Sequence, residues 1–321
     1  MHNPLPLSRR AALKTISTGA FAAAVSKSFS AESSTRRKMT INLMPGMIGV
    51  RAPQRELIEL AHAHGFESVE PLGSELARMS KDEIAELLTT MRGKRVQFGA
   101  AGLPVDFRGE ESKFTDGLAE LPKIADALQR AQVTRMGTWI MPGHNSLTYL
   151  QNLKQHAKRL RQIAGILDER KIRLGLEYVG TKTLRDRFHF EFAHTMAETK
   201  ELIAETGAKN IGFVLDSWHW WQANESADDI LTLKAEQIVA CDLNDAPAGK
   251  PKDQQIDGQR ELPMATGVIP VESFLNALQK LGYNGPVRAE PFNKPLNDMD
   301  NEAACAATFE AMQKAFALIR A

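Results

Sequence analysis

The sequence predicts an α/β fold, a single-domain (β/α)8 TIM barrel, and three observations carry that reading. Short apolar runs of strand character alternate eight times with longer amphipathic helical patterns. Four of those runs end in acidic residues, Glu177, Asp216, Asp242 and Glu290, and strand C-termini are where a barrel places its chemistry. The alternative is a doubly wound open sheet, which normally carries a glycine-rich nucleotide turn after its first strand. Here that turn reads Met44-Pro45-Gly46-Met47 and is no phosphate cradle.

Taken in order, the first strand is expected over Met39–Val50, followed by a helix at Pro53–Gly65. Strand two is Phe66–Leu72, with a helix at Lys81–Met91 that Ser80 is placed to cap. Strand three spans Arg95–Val105 and a long helical segment runs Glu111–Gln132. Strand four is Val133–Met141, and helix Leu147–Arg170 shows one apolar face through Leu150, Leu153, Leu160, Ile163, Ile166 and Leu167. Strand five, Ile172–Val179, precedes helix Phe192–Thr206, and strand six, Ile211–Asp216, precedes helix Ala227–Lys234. Strand seven, Ile238–Leu243, leads through a polar loop to helix Val271–Leu281. Strand eight is Val287–Glu290, and helix Asn301–Arg320 closes the chain.

The 321 residues match one barrel of about 250 residues with additions. The barrel is assigned to residues 39–321, and residues 1–31 are set apart. There, Ser8-Arg9-Arg10-Ala11-Ala12-Leu13-Lys14 precedes an alanine-rich, mildly apolar stretch, the pattern of a twin-arginine export signal. This predicts a periplasmic protein whose leader is removed near Ser28–Ala31. Residues 1–30 hold Arg9, Arg10, Lys14 and Lys27 and no acid, so their removal takes the formal charge from +1 to −3. A mildly acidic surface argues against nucleic acid as a partner. No run of about 18 apolar residues suggests a membrane span. Two cysteines, Cys241 and Cys305, are too few for a disulfide framework and are expected to be unbridged.

Alternate residues of a barrel strand face the interior. If Glu177, Asp216, Asp242 and Glu290 face inward, so do Gly175, Val214, Ala240 and Arg288 two residues earlier. Three of these are small or apolar, as a filled barrel requires. Each uncompensated buried carboxylate costs several kcal/mol unless it is protonated or bound to a cation. Four together point to one divalent ion with hard oxygen ligands, Mn²⁺ or Mg²⁺, with Zn²⁺ or Co²⁺ as alternatives. For any one acid alone, pairing with a basic side chain is an equally good account.

The motifs Gly-Leu-Glu177-Tyr-Val-Gly, Leu-Asp216-Ser-Trp-His219 and Ala-Glu290-Pro resemble the sugar phosphate isomerase/epimerase family with a xylose isomerase-like TIM barrel. The resemblance spans Thr40–Arg320 and includes Gly102-Leu-Pro-Val-Asp-Phe-Arg108, Asn244-Asp-Ala-Pro-Ala-Gly249 and Asp257-Gly-Gln-Arg260. It implies that Glu177, Asp216, Glu290 and the strand-seven residue hold a metal. Glu177 and Glu290 then move a proton, and His219 binds substrate. The departure is Asp242, which stands where relatives have His and makes the ligand charge −4. That calls for a nearby cation, and Arg288 is the candidate.

The expected chemistry is proton abstraction next to a metal-polarised carbonyl, giving epimerisation or aldose–ketose isomerisation. The runner-up is β-elimination from a 3-oxo-glycoside at the same site, and the non-enzymatic alternative is a sugar binder with a relic site. Further substrate contacts are expected from Trp139, which is better placed to flank a sugar than Trp218, Trp220 or Trp221. His144, Asp106 and Arg108 lie on loops at the catalytic face, and Lys252 and Arg260 lie in the long loop after strand seven. The export signal favours a free sugar or oxidised glycoside over a phosphorylated substrate. A multi-zinc DNA-repair endonuclease is disfavoured, because only His144 and His219 of the eight histidines follow strands closely. Homo-oligomerisation is left open.

Overall fold

The computed structural model describes residues 37–320, so the expected export signal at residues 1–31 lies outside the described residues. The strands are β1 (Thr40–Leu43), β2 (Ser68–Val69), β3 (Gln97–Phe98), β4 (Ala101–Gly102), β5 (Arg135–Trp139), β6 (Gly143–His144), β7 (Arg173–Glu177), β8 (Phe190–Glu191), β9 (Ile211–Asp216), β10 (Ile238–Leu243) and β11 (Pro286–Ala289). Nine of them form one parallel sheet in the order β3-β2-β1-β11-β10-β9-β7-β5-β4. The two ends of that order, β3 and β4, are consecutive pieces of one segment. β3 pairs with β2 and β4 pairs with β5, so the sheet curls into a closed barrel.

The expected third strand is thus broken at Gly99-Ala100, where its pairing passes from one neighbour to the other. Gly99 has to be glycine, since a Cβ there would stand 2.1 Å from Asn42 Oδ1. The first two strands are shorter than their apolar runs. Phe66 is apolar because its ring packs edge-on against Phe309, not because it joins the ladder. The small antiparallel β6–β8 ladder, which ties the loop after β5 to that after β7, has no signal in the sequence.

The helices follow the predicted order, with ends shifted by a few residues, as cap geometry decides. Helix Lys81–Lys94 starts with a reciprocal Ser80–Glu83 capping box. Helix Tyr149–Asp168 buries Leu153, Leu160, Ile163 and Leu167 of the predicted stripe, while Leu150 is exposed. A six-residue helix, Ser217–Gln222, follows β9 at once, because Asp216 Oδ1 accepts from the Trp218 N–H and caps it. Trp218 and Trp220 are buried as packing residues, and Cys241 and Cys305 are free and buried. No helix among the described residues is long and apolar enough to cross a membrane.

Inside the barrel, Ala100, Val214 and Ala240 form a small cluster separate from the main core. Added Cβ atoms at Gly137 and Gly175 would meet Val214 Cγ2 at 3.1 and 2.8 Å. Gly175, Val214 and Ala240 therefore face inward, as the alternation argument requires, which aims the residues two positions later at the barrel mouth. Gly175→Val should destabilise the protein by about 2–3 kcal/mol through overpacking, read as a lower urea midpoint. An unchanged midpoint would show that the interior yields at this level.

Candidate metal and active site

The barrel brings the four predicted acids to one mouth. Asp242 of β10 is in register with Asp216 of β9 and with Arg288 of β11. Glu177 ends β7 and Glu290 follows β11. Ligand-capable atoms of Glu177, Asp216 and His219 lie within 4.8 Å of one another, as do those of Glu177, Asp242 and Glu290. Glu177 belongs to both groups and links them.

Two guanidinium groups run through this cluster. Arg288 grips Asp242 through Nε at 2.6 Å and Nη2 at 2.5 Å, so both carboxylate oxygens accept from it. The pair is formally neutral and stands where relatives are expected to carry a neutral His. Arg260 Nη1 donates to Asp216 Oδ2 at 2.7 Å and Glu290 Oε2 at 3.0 Å, and Nη2 donates to Asp257 Oδ1 at 2.9 Å. Its guanidinium is also held between the Trp218 and Phe292 rings.

Sequence reasoning placed Arg260 on a loop as a substrate contact; the structure buries it among the acids instead. Asp245 is why the loop turns inward. Its Oδ1 accepts from the N–H groups of Ala246 and Ile269, and its Oδ2 from those of Thr266 and Gly267. A paired bridge to Glu261, at 2.9 Å in both directions, fixes the residue next to Arg260.

Counting Asp257, five acids face two cations here. Burial, then the neighbouring carboxylates, push Glu177 and Glu290 well above the usual carboxylate range. Burial also raises Asp242, though Arg288 opposes it. Burial works against the charge on Arg260, but Asp216, Asp257 and Glu290 more than offset it and hold it protonated. Glu177 Oε1 is buried without a hydrogen-bond partner. An orphaned carboxylate oxygen among surplus negative charge is what a hard divalent cation satisfies. The donor set of Glu177, Asp216, Asp242 and Glu290 therefore fits such an ion.

His219 is oriented rather than free. Its Nδ1 receives the Gly180 N–H at 3.2 Å, while its Nε2 sits 3.1 Å from Arg260 Nη2 and 3.7 Å from Glu177 Oε1. Burial lowers its pKa to about 4, so the ring is neutral at neutral pH. A neutral imidazole has one lone pair for these two donors, so one contact is always poorly satisfied. The Arg260 contact is the one a substrate oxygen can replace, with Nε2–H as donor.

Other predicted contacts lie farther out. Trp139 is in register with Glu177 and remains 38 % exposed. Arg108 stacks on it at 4.2 Å and donates to its carbonyl at 2.8 Å. Asp106, Arg108, Trp139 and His144 together line a separate pocket beside the cluster. Lys252 does not join the site. Its ammonium bonds Trp221 O and Asn224 Oδ1 and lies over the Trp221 ring, because the loop start folds back along the Ser217–Gln222 helix.

Three residues went unassigned in the sequence. Asn244 bridges Asp216 and the Glu290 backbone, and its signal was its place just after strand seven. Asp257 joins Arg260 to Thr181, and only the tertiary fold reveals it. Glu70 follows β2 at the mouth, where burial raises its carboxyl to about 7 against the opposing pull of Arg288.

Two outcomes follow. In chelator, the acids with raised folded pKa values make stability fall as pH rises above about 4.3, because the unfolded chain releases those protons first. Mn²⁺ should raise the melting temperature more at pH 8 than at pH 5. Arg260→Met should bind Mn²⁺ about tenfold more tightly by calorimetry, since Asp216 and Glu290 lose a competing cation, and should melt earlier in chelator.

A xylose isomerase-like TIM barrel family model matches residues 58–315. Inosose isomerase of Bacillus velezensis is 21% identical over 241 residues, covering 73% of this chain and 82% of that protein. A xylose isomerase domain protein from Alicyclobacillus acidocaldarius superposes with a TM-score of 0.76 at 29% identity, over 87% of this chain and 99% of the other. The IOLI protein with a zinc atom gives 0.71 at 18% identity, over 86% and 98%. With the closed barrel and the acids at its mouth, the match over residues 58–315 establishes that the chain belongs to the xylose isomerase-like TIM barrel family.

Proposed function

We propose that the protein is a divalent-metal-dependent sugar isomerase or epimerase that abstracts a proton α to a carbonyl. The observation that carries this is Glu177, a buried carboxylate with one unpartnered oxygen and raised proton affinity, beside Glu290, a second buried acid of raised proton affinity that accepts from Arg260. Carboxylates tuned upward towards neutrality serve as general bases and acids. The relatives support the substrate class: two are inosose isomerases, and D-psicose 3-epimerase shares the fold with a TM-score of 0.65.

In this reading Glu177, Asp216, Asp242 and Glu290 hold the ion, with Mn²⁺ or Mg²⁺ favoured by the oxygen donors. When bound, the ion supplies Lewis-acid polarisation of the carbonyl and its neighbouring hydroxyl. The Glu177 carboxylate takes the α-proton, and Glu290 returns one from the other side. His219 Nε2–H and the Arg260 guanidinium orient the substrate oxygens. Arg288 pairs with both Asp242 oxygens and so offsets the charge of that carboxylate. The Ser8-Arg9-Arg10 pattern supports a periplasmic setting and hence an unphosphorylated sugar.

The test is carbon-bound deuterium exchange in deuterated water, with Mn²⁺-loaded protein and a panel of ketoses, aldoses and inososes. The wild type should exchange at least one of them. Glu177→Gln at saturating Mn²⁺ should exchange at least about 100-fold more slowly while keeping its fold by circular dichroism. Exchange by the variant at the wild-type rate, or none by the wild type on any panel member, would overturn the reading.

A further inference from the structure

The pocket beside the acidic cluster is formed by the loops after β4, β5 and β7, and encloses about 560 Å³. That is within the range of sites for small organic ligands. Its boundary with the cluster is Trp139. Because Gly137 and Gly175 face inward in register, Trp139 and Glu177 two residues later face the same way on neighbouring strands about 4.8 Å apart. A ligand with one end at Glu177 therefore passes Trp139 on its way into the pocket.

The walls are fixed before any ligand arrives. Arg159, buried beneath the loop after β4, donates to Phe107 O at 2.9 Å and Gly109 O at 2.8 Å. Asp106 Oδ1 accepts from the Arg108 and Gly109 N–H groups at 3.2 Å. The antiparallel β6–β8 ladder sets Phe188 directly against Gly143, where an added Cβ would lie 2.5 Å away. A rigid pocket loses little entropy on binding, which suits recognition rather than accommodation.

The lining states the chemistry. Trp139, Met141 and Phe188 supply flat and apolar surface, with the Arg108 guanidinium stacked on the indole. Asn152 and His156, both buried, form part of the wall, and each leaves one atom unpartnered, Oδ1 and Nε2. His156 Nδ1 lies 3.1 Å from Asn152 O, which can only accept, so Nδ1 carries the proton. Burial lowers the pKa of this ring to about 4, so it is neutral and Nε2 is an acceptor. Both atoms are covered by their surroundings and shape the wall without reaching a ligand, whereas the partly exposed Trp139 ring and Asp106 carboxylate call for a ligand that is flat on one side and donates hydrogen bonds.

We propose that this pocket is a subsite for a second ring, so that the substrate is a two-ring sugar derivative rather than a monosaccharide. The recognised chemistry is a hydroxyl-bearing ring stacked at Trp139, with its hydroxyls directed to the Asp106 carboxylate. The inference rests on the proposed carbonyl chemistry only for which end of the ligand enters the cluster. Binding in the pocket is measurable without turnover.

The experiment compares dissociation constants on Mn²⁺-loaded protein by calorimetry, together with deuterium exchange. D-fructose and methyl β-D-glucopyranoside are the one-ring probes; lactulose and phenyl β-D-glucopyranoside are their two-ring counterparts, one extended by a sugar and the other by an aromatic ring. At least one two-ring probe should bind tenfold or more tightly than its counterpart. Phe188→Ala should erase the gain for either probe. Asp106→Asn, which keeps the Oδ1 acceptor for the Arg108 and Gly109 N–H groups but removes the carboxylate charge, should reduce it for lactulose alone. A ratio near one for both pairs, no binding by either two-ring probe, or a gain that survives Phe188→Ala overturns the subsite. Failure of exchange on every probe with the affinity ratio intact counts against the proposed reaction and leaves the subsite standing.

Discussion

The surplus of buried negative charge at the barrel mouth governs the rest of this structure. Glu177, Asp216, Asp242 and Glu290 converge where water is largely excluded, with the half-buried Asp257 at their edge, and Arg260 and Arg288 oppose them. Removing one partner from a buried ion pair typically costs about 3–5 kcal/mol, so each guanidinium is as structural as a core residue. Arg288 comes from the strand beside Asp242 and needs only the barrel to reach it. Arg260 comes from a long excursion that holds its shape because Asp245 receives four backbone N–H groups.

The two pairs differ in what they leave available. Arg288 takes both oxygens of Asp242 and makes a fixed neutral unit, which resolves the apparent excess of carboxylates in the ligand set. Arg260 shares itself among Asp216, Glu290 and Asp257 and meets His219 across a contact that one lone pair cannot fully satisfy. Glu177 keeps an oxygen with no partner at all. Glu177 is in register with Trp139 on the neighbouring strand.

Much of this was legible in the residues. Eight alternations of pattern read as a barrel, and period-two reasoning placed Gly175, Val214 and Ala240 inside it, because pleating allows each strand only two faces. Asp216 at the end of an apolar run was recognisable as a site residue. Its second role, capping the Ser217–Gln222 helix, was not, because that helix is too short to show a period. Strand three was read as continuous, whereas the ladder changes partner at Gly99, and nothing local records which neighbour a residue pairs with. Lys252 and Arg260 looked equivalent on one polar loop, yet Lys252 packs on Trp221 while Arg260 enters the cluster.

By itself, the sequence determined the fold class, the inward register and the convergence of acids at strand ends, since all three follow from local periodicity and a fixed handedness of connection. Only the tertiary structure decided which carboxylate meets which guanidinium, that Asp257 and Asn244 belong to the network, and that Asn152 and His156 wall a pocket beside Trp139. Arg260 reaches Asp216 across 44 residues and Arg288 reaches Asp242 across 46. At such separations pairing depends on how loops close over the barrel. Charge complementarity says that the acids need partners, but the chain path chooses them.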